Sequence, residues 1–90
     1  MASAQVTTIS VGTTDSTHTD FSPVVNKVTI KNVGGDACYI NLNADATTSH
    51  FKLDAADEIT IGLATITDVH AICDATESTT LNIIGAIEWS

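Results

Sequence analysis

Ninety residues with eleven acidic side chains, three lysines and no arginine carry a net charge of −8, which repels a phosphate backbone and argues against direct nucleic-acid binding. A chain of this length makes one domain and buries only roughly two-thirds of the surface that its unfolded form exposes. With 43% hydrophobic residues but one Trp, one Tyr and two Phe, its thin core is built from Ile, Val, Leu and Ala, and association with like subunits would add stability.

Thr supplies 15 residues, Ile 10 and Val 7, side chains that are stiff in a helix and pack well on a pleated surface. The composition therefore predicts an all-β fold: a small antiparallel β-sandwich, jelly-roll-like or Ig-like, or a flattened barrel of six to seven strands. The N-terminal residues carry no basic side chain and lead into no apolar run of signal-peptide length, so no secretory signal is expected. No stretch reaches membrane-spanning length, and no membrane association is expected. In a reducing cytoplasm Cys38 and Cys73 are expected as buried free thiols, although their separation of 35 residues leaves a bridge open.

Residues 1–22 read as an N-terminal arm and 23–90 as the sandwich domain. Within the arm only Gln5 to Val11 has strand character, with Ile9 and Val11 on one face and Val6 on the other. Such an arm either pairs with a neighbouring subunit or stays disordered. From Lys27 to Val33, Val28 and Ile30 alternate with Lys27, Thr29 and Lys31. After Gly34-Gly35-Asp36, the stretch from Ala37 to Asn43 resumes with Cys38, Ile40 and Leu42 in phase. Parity predicts a hairpin with a three-residue loop, which sets Ile30 against Ile40, Val28 against Leu42 and Lys31 against Tyr39. A short strand through Phe51 and Leu53 follows, then a connection at Asp54 to Asp57. Next comes a strand from Glu58 to Leu63, with Ile59, Ile61 and Leu63 on one face. Between Asp68 and Cys73 both faces are partly apolar, as in a strand covered on both sides by a neighbour or a loop. Thr80 to Ile87 is the last strand, with Leu81, Ile83 and Ile87 in phase and Ile84 and Ala86 pointing outward.

Chemistry is hard to find. There is no G-x-S-x-G turn, and in the adjacent pair Ser49-His50 the two side chains of a strand would point apart. His18, His50, His70, Cys38 and Cys73 form no local ligand pair, and Asp54 to Glu58 lacks the spacing and glycine of a calcium loop. No cofactor, metal or catalytic residue is expected, and the chain reads as a protein that acts by binding alone and not as an enzyme. Val6, Ile9, Val11, Phe21, Ile84 and Trp89 are the candidate subunit contacts. For Ile84 a covering loop is the alternative. Trp89, the single tryptophan, either plugs one end of the core or anchors in a neighbour.

Residues 28–43 (VTIKNVGGDACYINLN), 51–61 (FKLDAADEITI) and 69–85 (VHAICDATESTTLNIIG) together resemble a pattern of small virion structural proteins of tailed bacteriophages. The shared elements are a hairpin ending in Tyr39-Ile40, an apolar strand after an acidic turn, and a penultimate strand before a final alternating one. Ala56-Asp57 stands where that family often has glycine, and His70 where it has an aromatic residue. The resemblance implies a head decoration or cement protein, with no active site to carry over. It predicts a homo-oligomer, a trimer by capsid symmetry, made in the host cytoplasm and bound to the major capsid protein and to itself on the capsid surface. Two other readings are a tail or fibre-tip module that binds carbohydrate, and a host-encoded scaffold or adaptor.

Overall fold

A computed structural model of the chain describes residues 3–13 and 17–87. Six strands, β1 (Ser3–Val11), β2 (Thr17–Asn32), β3 (Cys38–Leu42), β4 (Phe51–Leu53), β5 (Glu58–Ile72) and β6 (Thr79–Ile87), form one antiparallel sheet in the order β1-β6-β2-β5-β3-β4. The all-β expectation holds, with alternation as its cause: Val28, Ile30, Ile40, Leu81 and Ile83 are buried, while their odd or even counterparts face outward.

The long strands β2 and β5 make a central ribbon whose register breaks twice. Between Asp20 and Val25, four residues of β2 stand against one of β5, and between Val25 and Lys27 three residues of β5 stand against one of β2. Bulges of this kind sharpen twist and bend the sheet. On one side of the bend, β6 and β1 add to the C-terminal half of β2; on the other, β3 and β4 add to the C-terminal half of β5. The two wings close over a single aliphatic core. Phe21, at the first bulge, lies over Gly85 of β6, where an added Cβ would stand 2.5 Å from the ring. At the far end the Cys73 thiol donates to the Val11 carbonyl at 3.7 Å, and the Cys73 amide to Gly12 at 2.9 Å.

Three expectations are corrected. The predicted hairpin does not form, because β2 lies between β5 and β6, and β3 between β5 and β4. Ile30 faces Ile59 and Ile83, and Lys31 faces Glu58 and Asn82 instead of Tyr39. Parity specifies which face is buried, and any strand of matching phase satisfies it. Residues 33–37 therefore cross between wings. There Gly34 supplies close approach, not a positive φ, since an added Cβ would lie 2.6 Å from the Thr80 amide nitrogen. The strands expected at 58–63 and 68–73 are one continuous strand with a bulge between them. Leu63, expected inside, is 46% exposed there. Finally, residues 3–11 are not a detached arm: β1 pairs with β6 of the same chain from Ser3↔Ile87 to Val11↔Thr79.

Candidate functional site

Among the candidate contacts, Val11 and Phe21 are buried in this chain's own core, and the partly buried Ile9 packs against it. Val6 and Ile84, at 73% and 44% exposure, are direct cross-strand neighbours on the outer face of β1 and β6. Trp89 lies outside the described residues.

The second face of β5 is sealed by the loop at residues 43–50. Asn43, at φ 65°, accepts from the Thr67 amide at 2.7 Å and its hydroxyl at 3.0 Å, and it donates to the Thr65 carbonyl at 3.0 Å. Ala46 is buried under the loop. His70, 8% exposed, touches Asp68 through Nε2, and Asp45 Oδ1 lies 3.4 Å from its Nδ1. Asp68, on the same strand, thus meets one ring nitrogen of the buried imidazole, and Asp45, on the loop, lies near the other. His50 is exposed, and its Nδ1 accepts from the Thr47 amide at 2.8 Å.

The second bulge builds a different feature. Where Leu63, Ala64 and Thr65 swing out opposite Asn26, the surface holds an open groove of about 520 Å³, lined by Asn26, Lys27, Thr60, Gly62, Leu63 and Ala64. Leu63 and Ala64 are the apolar residues of its lining, and Asn26, Lys27 and Thr60 the polar ones, the Thr60 hydroxyl being bonded to that of Thr29 at 3.0 Å. Sequence reading missed this groove because the break in alternation after Gly62 looks like a loop. Glycine inside a strand pattern was the available signal for a bulge.

No protein-family model matches the sequence, and no curated protein does. Solved structures do match the fold. A cupin superfamily protein from Desulfitobacterium hafniense superposes with a TM-score of 0.59 at 10% identity, over 94% of this chain and 68% of that one. HppE, crystallised with iron(II) and its substrate, superposes with a TM-score of 0.61 at 8% identity, over 91% of this chain and 45% of that one. A Neisseria meningitidis protein, NMB1881, gives 0.54 at 8% identity, over 91% and 72%. The bent antiparallel sheet is thus similar in fold to cupin-type structures, and the chain spans less than half the length of HppE.

These neighbours correct two expectations. The phage reading, in its decoration and tail-tip forms, is overturned, because the fold is similar to that of a cupin superfamily protein and of HppE and no phage protein is among the structures named. The exclusion of enzymes also falls, since HppE, a substrate-binding iron protein, shares the fold. Both errors have one physical source: alternation encodes a pleated barrel and is silent about what is grafted onto it. The described residues show no grouping suited to the iron of HppE. The inner face is mainly aliphatic, with Val28, Ile30, Ile40, Val69, Leu81 and Ile83 beside the thiols of Cys38 and Cys73. Among the described residues no three His, Cys, Asp or Glu are grouped to hold a metal.

Proposed function

We infer that the chain is a ligand-binding barrel of the cupin type that takes a small carboxylic acid with an apolar body, on its outside, in the groove at the β5 bulge. One observation carries the reading: the core is filled by aliphatic side chains, and the bulge opens a groove whose lining combines a lysine and two neutral polar residues with Leu63 and Ala64. Lys27, one of three lysines in a chain of net charge −8, lines this groove, and a single cation there suits an anionic group of single charge. The Lys27 ammonium and Asn26 amide suit a carboxylate, and Leu63 and Ala64 suit a ring or short alkyl body.

Benzoate is the working probe. A ligand of that size in an open groove binds at about millimolar strength, by per-atom limits on small ligands. Calorimetric titration of the wild-type chain against benzoate and against neutral benzamide tests the charge requirement. Benzoate is expected to bind at least severalfold more tightly, and Lys27→Gln to remove the difference. Equal binding of the two probes, or none at tens of millimolar, contradicts the reading.

A further inference from the structure

We propose that Cys38 and Cys73 form an oxidisable cross-strand pair, a modification site that closes to a disulfide on reaction with a small-molecule disulfide such as oxidised glutathione. The β3–β5 register pairs Leu42 with Val69, Asn41 with His70, Ile40 with Ala71 and Tyr39 with Ile72, so one step further sets Cys38 against Cys73. Both face the core, at 0% and 2% exposure.

The ladder's alternation defines their separation. The Asn43 amide donates to the Asp68 carbonyl at 3.0 Å, which marks Asn43/Asp68 as a hydrogen-bonded pair. Counting by twos, Asn41/His70 and Tyr39/Ile72 are of the same kind, and Ile40/Ala71 and Cys38/Cys73 are the closer, non-hydrogen-bonded kind. The Cys73 amide agrees, since it points away from β3, to Gly12. Non-hydrogen-bonded antiparallel pairs have Cα atoms about 4.5 Å apart, within the span of a disulfide, about 4.4–6.8 Å.

The chemistry runs in two exchanges. One cysteine, as thiolate, attacks the external disulfide, forms a mixed disulfide and expels one thiolate. The second cysteine, also deprotonated, then displaces the other. Two protons leave the cysteines for the two released thiols, the cysteine sulfurs are oxidised and the external disulfide is reduced. Burial holds both cysteines as thiols and slows this in the closed fold. Access comes through β4, a three-residue edge strand that pairs Leu53 with Cys38. Oxidation removes the Cys73 thiol donor to Val11 and replaces it with a covalent tie between β3 and β5.

The test uses the full chain, unfolded and refolded in a glutathione buffer and compared with the reduced protein. Trypsin cuts after Lys31 and Lys52, which puts Cys38 in the peptide 32–52 and Cys73 in 53–90. The expected product is a monomer that has lost two hydrogens, yields those peptides linked, and melts at least about 8 °C higher than the reduced chain. Cys38→Ser and Cys73→Ser, each refolded the same way, are expected to show neither the link nor the rise. Two free thiols, glutathione adducts alone, chain-to-chain links, or a linked monomer that melts lower would each overturn the proposal.

Discussion

The side-chain amide of Asn32, on β2, donates to the Leu53 carbonyl, on β4, at 3.1 Å across the core, although β2 and β4 lie at different places in the sheet and never pair. The same fully buried side chain donates to Asp36 at 2.8 Å. It accepts from the Gly34 amide at 3.1 Å and the Thr79 hydroxyl at 2.6 Å. One asparagine thus joins both wings and the crossing segment, with donors and acceptor all engaged. A satisfied polar group in an aliphatic core fixes a unique closure, because any other packing strands four partners.

Asn32→Leu is therefore expected to destabilise the fold by about 3 kcal/mol, the order of cost for leaving several buried groups unpaired, even though leucine is apolar. Urea denaturation measures it. A loss below about 1 kcal/mol would show that closure does not depend on this knot.

Gly85 is the second joint. A methyl there meets the Phe21 ring, so Gly85→Ala is expected to cost about 1–3 kcal/mol as overpacking. In a Phe21→Leu background the same change is expected to cost less, and a double-mutant cycle reads the coupling. Additive effects would separate the two residues.

Ala56 and Thr76 hold φ of 70° and 68°, in the left-handed region where a Cβ costs roughly 1–2 kcal/mol. Ala56→Gly and Thr76→Gly are each expected to raise stability by a few tenths to about 1 kcal/mol, after glycine's larger unfolded-state entropy is subtracted. Melting temperatures of the two variants decide it, and a decrease in both would contradict the turn geometry.

Alkaline pH has a predicted sign. Burial, with the neighbouring Cys73 charge, pushes the Cys38 thiol up to about 12; burial also raises Cys73, and the hydrogen bond to Asp74 raises Tyr39. Above about pH 9 the unfolded chain releases protons that the folded chain keeps, so stability falls with pH across the window from about 9 to about 12. Thermal melts of the reduced protein are expected to be flat up to about pH 8.5 and to decline above it. Cys38→Ala is expected to make the decline shallower, and an unchanged slope would contradict the assignment.

Much of the fold was legible because it is written in parity. The inward positions Val28, Ile30, Cys38, Ile40, Leu81 and Ile83 are buried as their phase requires, and His70 has the cover that its two-faced strand demanded. Pairing was not legible. Gly34-Gly35 between two in-phase runs reads equally as a hairpin turn and as a crossing. What selects the crossing is long-range: Asn32 reaches Leu53 and Thr79, at sequence separations of 21 and 47. Asn32 has the parity of Val28 and Ile30, yet its polarity hid it among surface residues. The groove escaped for a related reason, since a bulge is a mismatch between two strands and only one is visible in any local stretch.

The account rests on recognition at the outer groove of an otherwise filled barrel, and amide chemical shifts recorded while benzoate is added test it most directly. The predicted result is saturable shifts at Asn26, Lys27, Thr60, Gly62, Leu63 and Ala64, with the core-facing amides of Val28, Ile40 and Ile83 unmoved. Shifts centred on Asp45, Asp68 and His70, shifts centred on the core amides, or no shifts at all would contradict it.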